Sequence, residues 1–165
     1  MSKSDSFFVR ARVATDSGNF VQTSIDLGAY VDALGKSVLR IHNIAVQYGD
    51  PPVIYAGGGV NQNATVAFQL TTQSQNAMVD ATNKSVVSSG SLSFCQDASG
   101  AYVTVTDHLD IAPQHWTNGY LVGVEQIYLG VDQTSDRIDA VSIVLECTVE
   151  TLSQSAAMAL ALSQQ

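Results

Sequence analysis

Positions of even and odd parity separate along most of this chain. Phe7, Val9, Ala11 and Val13 alternate with Phe8, Arg10 and Arg12. After the turn-forming Asp16-Ser17-Gly18-Asn19, Val21, Thr23, Ile25 and Leu27 alternate with Gln22, Ser24 and Asp26. Period two sends alternate side chains to opposite faces, so both runs read as strands, and the short Gly-containing link suggests a hairpin. A longer apolar stretch over 37–48 ends at Gly49-Asp50-Pro51-Pro52, where proline stops a strand. The pattern predicts strands over 6–14, 19–27, 37–48, 53–56, 64–72, 92–96, 101–106, 120–131 and 138–150. Between them, 73–91 is polar and weakly patterned and reads as a long loop with a helical turn near 76–80. Gly57-Gly58-Gly59 and Asn61-Gln62-Asn63 have loop composition. Asp97-Ala98-Ser99-Gly100 reads as the turn between two strands, and 132–136 as the turn before the last one.

The final strand has the cleanest pattern. Val141, Ile143, Leu145, Cys147 and Val149 alternate with Ser142, Val144, Glu146, Thr148 and Glu150, so Val141, Ile143, Leu145 and Val149 should face a core. A helix is expected over 151–163, because residues 156–162 are all Ala, Met or Leu. Thr151 or Ser153 can cap it. That run is apolar all round, and such a helix wants cover on several sides. A groove of its own domain is one source of cover; a neighbouring subunit or an internal membrane is the other. Met158, Leu160 and Leu162 are the candidate subunit-interface residues.

Strands without βαβ alternation and without an internal repeat exclude a parallel nucleotide-binding sheet, a propeller and a solenoid. What remains is an all-β antiparallel two-sheet sandwich, with a single jelly roll as the leading topology, a short C-terminal helix, and one domain over 1–165.

Composition narrows function further. Seven Lys and Arg against fifteen Asp and Glu leave a net charge of −8 on 165 residues. Only Arg10 and Arg12 lie close together, so direct nucleic-acid binding is not expected. No secretory signal and no apolar run of about 20 residues is visible, which fits synthesis in a cytoplasm. Cys95 and Cys147 stand far apart and read as free thiols in strands. The Asn63-Ala64-Thr65 and Asn83-Lys84-Ser85 sequons read as chance matches in that setting.

Catalytic and metal chemistry finds little support. His42, His108 and His115 are the only histidines, and zinc needs three or four close ligands. Asp107-His108-Leu109-Asp110 reads as a polar loop before Pro113. Asp16, Asp50 and Asp97 suit turns, where their side chains bond nearby backbone. Gly57-Gly58-Gly59-Val60 lacks the Gly-Lys-Ser/Thr of a phosphate loop, and no nucleophile elbow occurs. Tyr120 and Tyr128 would share one strand face about 26 Å apart, too far for one small ligand. No cofactor, metal or catalytic residue is assigned, and the chain is not expected to be an enzyme.

Residues 107–113, followed by Gly119-Tyr120-Leu121-Val122 and Gln126-Ile127-Tyr128-Leu129-Gly130-Val131, resemble the late strands of single jelly-roll capsid proteins of tailless icosahedral archaeal and bacterial viruses. The resemblance implies a structural virion protein that self-assembles into a shell. Its implied partners are copies of itself, with a second capsid protein and an internal membrane as further candidates, and its implied location is the virion. The long basic arm of RNA-packaging jelly-roll coats is missing, which again disfavours genome contact. The competing readings are a virion accessory protein (spike, cement or tail component), a glycan-binding β-sandwich module, and a small hydrolase.

Overall fold

The computed structural model describes residues 3–16, 18–32, 34, 36–49, 63–134 and 138–165; of Tyr102 it describes the backbone alone. Among the described residues, nine strands and one α-helix follow in chain order: β1 (Phe7–Ala14), β2 (Val21–Asp26), β3 (Ser37–Tyr48), β4 (Asn63–Thr71), β5 (Val86–Gln96), β6 (Tyr102–Ile111), β7 (Tyr120–Val122), β8 (Gln126–Gln133), β9 (Ala140–Thr151) and α1 (Gln154–Gln164). The expected strand over 53–56 lies outside the described residues.

The strands form two antiparallel sheets, β1-β9-β3-β7 and β2-β8-β4-β5-β6. With β6 set aside, eight strands remain. In chain order they run first-eighth-third-sixth in one sheet and second-seventh-fourth-fifth in the other. This is the double Greek key of a jelly roll. β6 is an addition, hairpinned onto β5 and extending the second sheet by one strand.

The inner faces of the two sheets meet on a closed apolar core. Leu39, Ile41, Phe68, Leu70, Val87, Ile127, Leu129, Ile143 and Leu145 are all buried. Val141, Ile143 and Leu145 face this core, while Val149 is partly buried against its margin. Leu145 lies opposite Val9 on β1 and Ile44 on β3, at the centre of the first sheet.

Several local expectations give way. β1 and β2 do not form a hairpin: β1 pairs with β9 and β2 with β8. The turn at Asp16 is present, with Asn19 N–H donating to the Asp16 carbonyl, but it carries the chain from one sheet to the other. Likewise 132–136 does not join paired strands, since β8 and β9 lie in different sheets and Asp132 and Gln133 still belong to β8. β5 starts at Val86, inside the expected loop 73–91, and the stretch 76–80 contains no helical turn. Asp107-His108-Leu109-Asp110 is strand, not loop. The expected strand 120–131 is two strands in different sheets, so Tyr120 and Tyr128 share no face.

The helix also starts later than expected. β9 runs through Thr151, and Ser153 is the N-cap, its hydroxyl accepting from Ala156 N–H.

Gly119 is set by close approach. It has φ +65°, and a Cβ there would lie 2.4 Å from the Ile41 carbonyl oxygen. Only glycine meets both conditions without strain.

Candidate functional site

The closest approach to a catalytic grouping lies on the outer face of the second sheet. β5 and β6 are paired with Ser91 opposite His108, which places Ser91 Oγ 2.9 Å from His108 Nε2. Asp110 stands 3.6 Å from the same histidine. Ser91 and Asp110, but not His108, border a depression of about 550 Å³ lined also by Met78, Val79 and Asp80. Sequence reasoning missed Ser91, because cross-strand register alone brings it to His108. A hydrolytic triad needs serine and carboxylate on opposite ring nitrogens, so that the acid orients the imidazole toward the nucleophile. Here both reach Nε2. The imidazole and the carboxylate are each about half exposed, so water screens their attraction. The trio is a surface hydrogen-bond set across two strands.

The outer face of the first sheet carries a second polar cluster. Arg40 Nε lies 2.7 Å from Glu150 Oε2, with both side chains largely buried, and Arg40 also donates to the Asn118 carbonyl. This ion pair ties β3 to β9 and to the turn before β7. Beside it His42 Nε2 meets Thr148 Oγ1 at 2.9 Å, and Asn43 Nδ2 donates to Glu146 at 2.6 Å. A polar depression of about 450 Å³ lies here, partly roofed by residues 3–6. His115 ends the short 3₁₀ turn Pro113–His115.

Beyond the His108–Asp110 pair, the histidines gather no ligand set: among the described residues no group of three His, Cys, Asp or Glu could hold a metal. Asp97 is a turn residue, accepting from Ser99 N–H, Ser99 Oγ and Ala101 N–H. These bonds, led by the Ser99 hydroxyl, hold its carboxyl below the usual range. Asp16 accepts from Asn19 Nδ2. Cys95 is half-buried, Cys147 is buried, and both are free. Burial pushes the Cys147 thiol up to about 12, so it is no nucleophile near neutral pH. The Tyr48 hydroxyl is buried with no hydrogen-bond partner among the described residues, and burial raises its pKa.

The other surface feature is α1. Ala157 and Ala161 are buried against the sandwich. Leu160 is half-buried and sits over Gly123, where a Cβ would come within 2.9 Å of Leu160 Cγ. Gln164 is the anchor: its Oε1 accepts from Gly123 N–H at 2.7 Å and its Nε2 donates to the Leu121 carbonyl at 2.7 Å. Its own carbonyl accepts from the buried Thr72 hydroxyl. The helix is therefore seated on its own domain through small residues and an amide. Its larger apolar residues Met158 and Leu162 point outward, 44% and 69% exposed. No helix among the described residues is long and apolar enough to cross a membrane.

Neither a family model nor a curated protein sequence matches the chain. Three of the solved structures to which the chain is similar come from viruses. That of Desmodium yellow mottle tymovirus has a TM-score of 0.38 and 11% identity, covering 89% of this chain and 86% of the other. Maize chlorotic mottle virus gives 0.35 and 6%, covering 91% and 96%. Turnip yellow mosaic virus gives 0.34 and 7%, covering 89% and 93%.

Proposed function

We propose that this chain is a coat subunit, a structural virion protein that assembles with copies of itself and performs no catalysis. The observation that carries this reading is the outward apolar face of α1 on a closed jelly roll. Jelly rolls serve as viral coats, lectins and cupins. Cupin chemistry needs polar ligands inside the sandwich, and this interior is filled by Val, Leu, Ile and Phe. The polar clusters on the outer faces lie in shallow depressions and lack a triad arrangement. What the domain offers a partner is surface. Met158 and Leu162 are left uncovered by the described residues, and leaving them in water forfeits about 1.5–3 kcal/mol for each side chain that could be fully buried. The occupant of that face is a neighbouring copy of the chain, with Leu160 completing the contact from below. A lipid surface fits less well. Membrane-binding helices carry Lys and Arg beside their apolar face, whereas no charged residue follows Glu150 here and the chain carries −8. The same charge keeps the genome out of the contact list.

The test replaces Met158 and Leu162 together with aspartate. Both are exposed, so the monomer should melt within a few degrees of the parent, while particles in sedimentation and electron microscopy disappear. Unchanged particles would remove α1 from the assembly contacts. A parent chain that remains monomeric under every assembly condition would refute the coat reading itself.

A further inference from the structure

We infer that copies of this chain also join head to tail, with β6 of one copy seated in the groove between the β1 and β2 edges of the next. This rests on the self-assembly reading above and names a contact for it. The second sheet has five strands against four, and the neighbouring edge strand of the first sheet, β7, has only three residues. β6 therefore overhangs the sandwich. From Val103 to His108 every side chain is exposed, whichever face it lies on, with Val103 at 61% and Val105 at 50%. Its outer edge has no partner strand among the described residues. Natural edge strands are usually blunted by lysine, proline or a covering element. β6, with the sequence YVTVTDHLDI, has neither lysine nor proline; its protection is Asp107, Asp110 and two register shifts against β5, and a partner of opposite charge removes the electrostatic part of it.

The opposite side of the sandwich holds the complement. There β1 ends one sheet and β2 ends the other, and between them lies a groove of about 490 Å³. Phe8, Arg10, Arg12, Ser24, Asp26 and Tyr30 line it. Asp26 is an acid in this groove, its Oδ1 accepting from Gly28 N–H and its charge retained. The groove thus carries two arginines against one aspartate in an acidic chain, a positive balance, while β6 carries Asp107 and Asp110 and no Lys or Arg. Charge selects the pairing. Two β6 edges would set Asp107 and Asp110 against their own copies, and two β1 edges would set arginine against arginine. Only β6 against β1 brings opposite signs together. Because the two features occupy opposite sides of one domain, the contact is heterologous. Every added copy leaves one free β6 and one free groove, so it propagates into rings or a shell.

The test uses the full chain under conditions where the parent assembles. Arg10→Asp with Arg12→Asp, and separately Asp107→Arg with Asp110→Arg, should each raise the concentration for half-assembly at least about tenfold. The chain carrying all four changes should recover most of it, a rescue that damage to the fold would not give. In a Cys95→Ser background, chains with Val105→Cys should cross-link to chains with Ser24→Cys and not to themselves. Val105→Cys self-linking, or charge variants that assemble like the parent, overturns this contact and leaves the coat reading standing. A parent chain that never assembles overturns both.

Discussion

Gln164 offers a sharp test of how the helix is held. Replacing it with alanine removes both side-chain bonds at once, leaving Gly123 N–H and the Leu121 carbonyl without partners. A buried backbone group left unpaired costs about 1–3 kcal/mol, so with two such groups the seated helix would lose about 2–6 kcal/mol. The apolar part of the seat is small: the methyl groups of Ala157 and Ala161 and part of Leu160. At about 0.8 kcal/mol per buried carbon, that amounts to about 2–3 kcal/mol. The loss equals or exceeds what remains, so α1 should detach rather than drag the sandwich open. Undocking also lets water reach Gly123 and Leu121, which caps the total cost at the docking energy. Hydrogen exchange read residue by residue is the assay. The Gly123 amide and the amides of α1 should exchange at least about tenfold faster, since each 1.4 kcal/mol is a factor of ten, while β9 amides change much less. Gly123→Ala should act the same way from the other side, because its methyl would enter the space of Leu160 and Ala161. Slow exchange retained at Gly123 in the Gln164 variant would refute the clamp. So would loss of protection throughout β9, which would make α1 part of the cooperative core.

Leu145→Ala should cost about 2–5 kcal/mol in denaturant unfolding, since the side chain is fully buried between β1 and β3; a loss below about 0.5 kcal/mol would contradict its placement. Gly119→Ala should destabilise by about 1–3 kcal/mol through positive φ and collision with the Ile41 carbonyl, and an unchanged melting curve would mean the turn can relax. Toward a thiol reagent at pH 8, half-buried Cys95 should react first and Cys147 only on unfolding; equal rates would refute the burial of Cys147. Asp97 has a lowered folded pKa, so its stabilisation is full above the ordinary aspartate range and is lost as pH falls through the lowered value. A titration followed by NMR should give a midpoint below about 3.9, and an ordinary midpoint would mean the turn bonds do not persist.

The fold class was legible because the strands at the centre of the sandwich alternate strongly. β4 and β9 carry their inner residues chiefly as Val, Leu, Ile and Phe at period two, and β3 does so on either side of a register shift between Ile41 and Asn43. β5 broke the signal at Gly90, an inner position where a side chain should have announced the strand. The Phe68 ring and the His108 carbonyl fill that space, leaving 2.9 and 2.6 Å to a Cβ. Such a glycine is dictated by neighbours that lie far off in sequence. β6 was half hidden for another reason: exposed on both faces, it has no apolar period to show. The break between β7 and β8 shows in the sequence only as a change of parity, from Tyr120, Val122 and Val124 to Ile127, Leu129 and Val131, which a single long strand over 120–131 overlooks. It is made by α1 packing on Gly123, a contact spanning some forty residues. The apolar character of α1 was plain, but not which residues face inward. Ala157, Ala161, Gln164 and part of Leu160 take the seat while Met158 and Leu162 are left outside, and the Gly123 backbone demands an amide.

The two proposed contacts leave the domain in different directions. α1 caps one end of the sandwich, bonded to the β7–β8 connection, to Thr72 after β4 and, through Gln154, to Leu34 before β3. β6 and the β1–β2 groove lie along its two sides. A closed shell needs contacts in more than one direction, because one heterologous contact alone yields a ring or a filament. Separate damage should therefore give separate products. With Met158 and Leu162 changed to aspartate, the side contact survives and electron microscopy should find strings or rings. With Arg10 and Arg12 reversed, the end contact survives and sedimentation should find small oligomers with no strings. Net charge of −8 adds a shared background: copies repel at low ionic strength, and moderate salt should favour both products by screening that repulsion. Higher salt should then weaken the side contact first, since it depends on opposite charges, and spare the apolar end contact. If both variants gave only monomers, the two contacts would be one cooperative interface, and the separation of end from side would be wrong.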